Sequence, residues 1–491
     1  MVNRAPNIIY ILSDQHNAAV AGAYGDSIVR TPHMDQLARE GVTLENCYCA
    51  SPLCVPSRTA LLSGRLPSHT GVYNNMQCYP SDKATFVHAL RLDGYETVLC
   101  GRMHFVGWDQ RHGFETRLVG DITASFMGYD NEEEVYGDFK RTSYQHIKAI
   151  QKSGGGNSAV LQYDREVTDA ALEYLTRRGQ KEERPLFLLV GLYGPHCPYI
   201  APPDLFAHYY RTLPPMGTVS REEYEALHPA MQKWQQNREL DQICDEDVRR
   251  IRAAYYGMVE YVDSLVGEIV EQVDRCFDPE NTLVIYGSDH GDNIGEHGLF
   301  WKTNFYEGAS HIPMIFRWKN HLQPGRRIGE LTSLLDVAPT LLSLAGEYAL
   351  PEYDGLDLMP CLLGEKSIPR DRVVFAECSD IKGDAPSAML RMGPYKLIRH
   401  AGYEQPQLFD LEKDPHELHD LADKEAYREV RERLMVEMGV YWEPQRALRQ
   451  LEVDLKHNAL LSQWVRQVRP QPVEEWRGRV EDNYISIQKL E

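Results

Sequence analysis

Three short apolar runs that end alike constrain the fold of this 491-residue chain more than any other feature. Asn7-Ile8-Ile9-Tyr10-Ile11-Leu12 stops at Ser13-Asp14-Gln15. Leu186-Phe187-Leu188-Leu189-Val190 leads through Gly191-Leu192-Tyr193-Gly194 to Pro195-His196. Thr282-Leu283-Val284-Ile285-Tyr286 stops at Gly287-Ser288-Asp289-His290-Gly291. Continuous apolar runs of this length read as parallel strands buried on both faces. Open α/β sheets place their sites at the carboxyl ends of such strands, so the three polar endings predict one site. The expected fold is α/β, a large, mostly parallel sheet sandwiched by helices, followed by a smaller C-terminal α+β domain.

The chain is longer than the roughly 250–300 residues one hydrophobic core sustains, so more than one domain is expected. The clearest helix runs from Asp245 to Arg275, with apolar residues at helical spacing and acids in its first turn. Residues 120–157, ending in Gly154-Gly155-Gly156, and residues 201–237 show weak periodicity and read as long irregular segments, lids or disorder. Beyond Gly364, the runs Val373–Ala376, Ser387–Leu390 and Tyr395–Ile398 predict a small antiparallel sheet, followed by a helix from about Lys424 to Gly439. The expected division is a catalytic domain over 1–368, a small antiparallel-sheet domain over 369–445 and an arm over 446–491. The arm would pack on the body or on a neighbouring subunit, which favours a homo-oligomer.

Acids outnumber bases 72 to 52, a formal charge of −20 that repels polyphosphate and argues against a nucleic-acid partner. The ten cysteines follow no disulfide or metal-ribbon spacing and read mostly as buried apolar side chains. The first apolar run is too short for a signal segment, and no stretch nears the roughly 20 apolar residues of a membrane span, so the expected compartment is the cytoplasm, without a membrane partner.

Cys54-Val55-Pro56-Ser57-Arg58 precedes a helical stretch that stops at Gly64. Residue 54 then sits at the positive end of a helix, where the backbone favours an anion and a thiol becomes acidic. A buried Cys ahead of an ordinary helix is the alternative. Asp14 and Asp289 are hard oxygen ligands at two strand ends, although a lone Asp there also serves as a cap.

In this order Cys54-x-Pro-Ser-Arg58, Ser288-Asp289-His290-Gly291-Asp292, Gly295-Glu296-His297-Gly298, Lys302 with Tyr306-Glu307-Gly308, and Leu408-Phe409-Asp410-Leu411 with Asp414-Pro415-His416-Glu417 form a pattern. It is similar to type I sulfatases of the alkaline-phosphatase-like superfamily, over residues 5 to 425. Gly101-Arg102-Met103-His104-Phe105-Val106-Gly107 with His112-Gly113-Phe114-Glu115 most resembles choline sulfatases, and phosphonate monoester hydrolases are related neighbours.

The resemblance implies that a transient partner, the formylglycine-generating enzyme, oxidises Cys54 to formylglycine. One oxygen of the hydrated aldehyde then attacks sulfur, and the second hydroxyl drives off sulfate. A divalent cation would lie among Asp14, Gln15, residue 54, Asp289 and His290. Gln15 and His290 stand where many relatives carry Asp and Asn, which softens the site and leaves Ca²⁺ first with Mn²⁺ as competitor. Arg58 would brace the deprotonated oxygen, His104 would assist proton transfer, and His196 and Lys302 would grip sulfate and the leaving oxygen. Arg102 replaces the family's usual Lys, keeping the charge with different reach. Asn75 would contact substrate or simply shape a turn; Trp108 and Asp109 would meet a quaternary ammonium or simply pack.

The implied activity is hydrolysis of a small sulfate monoester, such as choline sulfate, an aryl sulfate or a sugar sulfate. A phosphonate monoester or phosphodiester hydrolase, and a silent binding protein on the same fold, are the alternatives.

Overall fold

The computed structural model describes residues 5–128, 132–179, 184–380 and 382–490. The first four residues of the N-terminal reading and residues 129–131 of the irregular segment lie outside that description.

An eight-stranded sheet organises the chain. Its order is Arg326–Ser333, Val42–Tyr48, Met314–Arg317, Thr282–Ser288, Asn7–Asp14, Leu186–Pro195, Glu96–Gly101, Thr116–Arg117. Met314–Arg317 runs antiparallel to both neighbours, and the remaining adjacent pairs are parallel. The three apolar runs lie side by side at the centre, with Ile9 level with Leu188 and Val284. Alternation divides their side chains between two cores. Ile9, Ile11, Leu188 and Val284 face the helices Ala159–Gly179 and Asp245–Cys276, while Ile8, Tyr10, Leu189 and Ile285 face Phe86–Leu92 and Val337–Ala345. The carboxyl ends of these strands therefore share one edge.

A second sheet, Val373–Cys378, Ser387–Met392, Tyr395–His400 and Gln407–Asp410, is antiparallel throughout and carries the helix Arg428–Tyr441. Residues 201–237 are not irregular as expected. They form the helices Pro203–Thr212, Arg221–Ala226 and Pro229–Gln236. Pro203 and Pro229 stand at helix starts, and Ser220 with Glu223 closes a capping box.

The arm packs on its own body. A long helix, Pro444–Val468, precedes the strand Tyr484–Ile487, which pairs with Gly154–Asn157. The triple glycine, expected to end an irregular segment, is thus part of a strand. A Cβ on Gly156 would fall 2.0 Å from the Tyr484 carbonyl oxygen, so only glycine lets the two backbones approach.

Candidate active site at the carboxyl edge of the sheet

The helix Cys54–Ser63 begins at Cys54 itself and ends on Gly64 in the left-handed conformation, with Leu53 at its N-cap. Cys54 is buried and meets residues from two strand ends. Its Sγ lies 3.8 Å from Asp14 Oδ1 and 3.2 Å from His290 Nε2. One ligand atom from each of Asp14, Cys54, Asp289 and His290 falls within 4.8 Å of the others. His290 Nδ1 faces the Gly291 carbonyl at 3.1 Å, so it donates there, and Nε2 turns toward Asp14 and Asp289, each at 3.7 Å. Burial pulls His290 down, but Asp289 and Cys54 outweigh it and push the imidazole up. Two buried carboxylates, an imidazole nitrogen oriented by a carbonyl, and the oxygen of a converted residue 54 are a donor set that fits a divalent cation.

Arg58 bridges the carboxylates, with Nε 2.8 Å from Asp289 Oδ2 and Nη2 3.1 Å from Asp14 Oδ2. Arg102 Nε donates to the same Asp14 oxygen at 2.5 Å, and its guanidinium lies over the Tyr193 ring, 4.2 Å from the centroid. Burial and Cys54 push the Asp14 carboxyl up; the Arg102 and Arg58 guanidiniums outweigh both and hold it well below the usual range. Lys302 Nζ donates to His196 Nε2 at 2.6 Å and to Gln15 Oε1, while His196 Nδ1 donates to the Cys197 carbonyl at 2.7 Å. Burial and the Lys302 ammonium hold His196 below the usual imidazole range. The imidazole is therefore neutral and the lysine carries the proton. Burial would likewise raise the Cys54 thiol, but Lys302, His290, His104 and His196 outweigh it and take it well below the usual thiol range. An acidic chain has thus concentrated cations at one point.

Gln15 Nε2 donates to Asp292 Oδ2 at 2.6 Å, and Gln15 and His104 both adopt positive φ, 69° and 53°. The side chain of Gln15 is thus tied to Lys302 and Asp292. Asn75 accepts the Val55 N–H at 2.9 Å through Oδ1, which leaves its amide nitrogen for a ligand.

Cys54, Asn75, Arg102, His104, His196 and Lys302 line one cavity of about 200 Å³, whose outer wall includes Phe126, Met127, Glu132, Tyr136, Tyr144, Asp380 and Lys382. Trp108 and Asp109 are not in that lining. Trp108 is 64% exposed and edges onto Phe126, and the Asp109 carboxylate accepts the N–H groups of Arg111 and His112. A larger cavity, about 600 Å³, is lined by Glu307, His311, Arg391 and Glu417 and holds none of the Cys54 constellation.

Two site residues escaped the sequence reading. Asp292 orients Gln15, and its place in Ser288-Asp289-His290-Gly291-Asp292 was an available signal. Asp121 pairs with Arg102, and nothing in its surroundings singled it out. A first prediction arises here. Arg102→Lys keeps the charge but loses the fork that reaches Asp14, Asp121 and His104 together. Steady-state kinetics of that variant should show kcat/KM lower by roughly 10- to 100-fold.

Residues 6–347 match the family described as sulfatase, and residues 295–441 match N-sulphoglucosamine sulphohydrolase, C-terminal. A choline-sulfatase of Rhizobium meliloti (strain 1021) is 35% identical over 436 residues, covering 86% of this chain and 83% of the relative. Arylsulfatase K of Danio rerio is 28% identical, covering 85% of this chain and 80% of the relative. Among solved structures, a protein in complex with its substrate D-glucosamine-2-N,6-O-disulfate superposes with a TM-score of 0.71 at 21% identity, covering 91% of this chain and 98% of its own. The phosphonate monoester hydrolase of Agrobacterium radiobacter gives 0.72 at 23% identity, covering 91% and 96%. Family match, relatives and the carboxylate–Cys–His constellation agree: this chain belongs to the sulfatase family and is a sulfuric ester hydrolase.

Proposed function

We propose that the chain hydrolyses a small sulfate monoester of the choline sulfate type, with residue 54 as formylglycine and a divalent cation held by Asp14, Asp289, His290 and residue 54. The observation that carries this reading is the convergence of two carboxylates, an imidazole and Cys54 beside Arg58, Arg102 and Lys302. When present, these groups supply a hydrated aldehyde as oxygen nucleophile and a Lewis acid that lowers the pKa of that oxygen. The two carboxylates favour calcium, with manganese as the competitor that His290 would welcome. The formylglycine-generating enzyme is the partner this reading requires.

The chain's own residues do the rest. Lys302, held charged by Asp14 and Asp289 against the pull of burial, donates toward sulfate oxygen and leaving alkoxide. His196 lies within proton-transfer distance of that ammonium. His104, whose Nδ1 meets Arg102 Nη2 at 3.0 Å, turns toward residue 54 and takes the proton there. Arg58 fixes both carboxylates. The cavity suits a small alcohol, and a wall of aromatic and methionine side chains with Glu132 and Asp380 against Lys382 suits an apolar or cationic one.

Among the described residues no helix is long and apolar enough to cross a membrane. A cytoplasmic setting fits this reading. A homo-oligomer fits the exposed apolar stripe Val453, Leu460, Trp464 and Val468 on the arm helix.

Turnover of choline sulfate, an aryl sulfate and an aryl phosphonate monoester, measured side by side on the purified protein, tests the reading. Sulfate ester hydrolysis should dominate. A large phosphonate preference, or no turnover by fully converted protein, would overturn it.

A further inference from the structure

We infer that the C-terminal arm is part of the active-site scaffold: residues 473–476 hold Asp121, and through it Arg102 and His104, in register with Cys54. The inference rests on the sulfatase reading and concerns a segment that follows the residues of either family match.

Asp121 is the hinge of the argument. It is 1% exposed, and its carboxylate is fully engaged. Oδ2 accepts the N–H groups of His104 at 2.7 Å and Met103 at 3.1 Å and pairs with Arg117 at 3.3 Å. Oδ1 pairs with Arg102 Nη1 at 3.3 Å and accepts from the Thr123 hydroxyl at 2.7 Å. One buried carboxylate thus fixes the backbone of the 102–104 turn and the guanidinium that contacts both Asp14 and His104. The turn needs such a grip, because His104 sits at φ 53°, a left-handed conformation that is unfavourable for a residue with a β-carbon.

The arm holds Asp121 by its backbone on both sides. Asp121 N–H donates to the Glu474 carbonyl at 2.8 Å, and Trp476 N–H donates to the Asp121 carbonyl at 2.7 Å. The two segments touch so closely that a Cβ on Gly120 would lie 2.0 Å from the Glu474 oxygen. Four residues beyond Asp121, Ser125 donates its N–H at 2.7 Å and its hydroxyl at 2.5 Å to the Glu475 carboxylate, which is 2% exposed. Ser125 in turn accepts the Gly107 N–H at 2.7 Å through its carbonyl. The stretch between these clamps, Ile122, Thr123 and Ala124, is cavity wall, as are Phe126 and Met127 beyond. The arm is itself anchored. Trp476 stacks edge-on against Tyr163 and donates from Nε1 to Glu166 at 2.8 Å, and Arg111 pairs with Glu474 at 2.5 Å.

Asp121 and Glu475 are therefore positioning residues: neither reaches the reacting atoms, but both set groups that do. Glu475→Ala in the full chain releases Ser125 while leaving the Trp476 anchor in place. Its kcat for a sulfate ester should fall about 10- to 100-fold. Hydrogen exchange in a peptide spanning residues 101–106 should accelerate, with residues 387–400 unchanged. Glu475→Gln keeps an acceptor for Ser125 and should recover most of kcat. Wild-type kcat and wild-type exchange at 101–106 in Glu475→Ala would overturn the inference. So would a loss accompanied by faster exchange throughout the chain, or a Glu475→Gln as impaired as the alanine variant. If the wild type hydrolyses no sulfate ester, the functional reading fails, and the exchange of residues 101–106 still decides whether the arm sets that turn.

Discussion

Replacing Cys54 by serine gives a folded protein that releases at most one equivalent of alcohol per chain, with steady-state turnover lower by on the order of 10⁴-fold or more. The expectation follows from the number of oxygens residue 54 can offer. A hydrated aldehyde has two hydroxyls on one carbon, so one can attack sulfur and the other can then expel sulfate. Serine has one, and once it is esterified the positions of Arg58, His104 and Lys302 cannot help it leave. The substitution is small at a site that is 1% exposed, and His290 Nε2, 3.2 Å from the sulfur, still faces the side chain. Stability should therefore change little. Pre-steady-state release of a chromogenic alcohol separates the outcomes, because sustained turnover by Cys54→Ser would show that the nucleophile is something else.

Arg58→Ala should have the second largest effect, in stability as well as rate. Arg58 is 1% exposed and neutralises two carboxylates that are fully buried. Removing one partner of a buried ion cluster strands the other charges, at a cost of about 3–5 kcal/mol. Arg102 still reaches Asp14, so Asp289 loses most. The acid limb of stability should move as well. Asp14 titrates below its unfolded value, so its contribution is present above about pH 4 and is lost as pH falls through the lower folded value. Without Arg58 that folded value rises toward the unfolded one, so the window closes from its acid end and Asp14 contributes less stability above it, which makes the acid limb shallower. Denaturant titrations from pH 3 to 7 give both numbers. Added calcium should restore part of the stability, since a cation can take the place of the missing charge. An Arg58→Ala protein as stable as wild type, with an unmoved acid limb, would contradict this electrostatic account.

Much of this site could be read from residues alone because its chemistry is tied to strand ends. Asp14, His196 and Asp289 each follow a run of apolar residues too continuous to be anything but central strands, and a parallel sheet leaves those ends adjacent. The Cys54 pentapeptide carries its own helix start and glycine stop. What stayed hidden depended on contacts between residues far apart in the chain. Asp121 lies in a segment without periodicity, and its role exists only because the arm closes over it some 350 residues later. Gly154-Gly155-Gly156 reads as the end of an irregular segment until Tyr484–Ile487 arrives beside it. Trp108 had the right chemistry for a cationic ligand, yet the turn over residues 109–112 leaves it outside the cavity lining. Local pattern fixes elements and their polar ends; tertiary pairing decides which loop becomes a wall.

The most direct test is the mass of the peptide containing residue 54, measured on protein made alongside a formylglycine-generating enzyme, with sulfate ester turnover recorded on the same sample. The account predicts a residue that has lost hydrogen sulfide and gained one oxygen, with activity proportional to the converted fraction. Full activity in a sample whose residue 54 is entirely unmodified cysteine would contradict it.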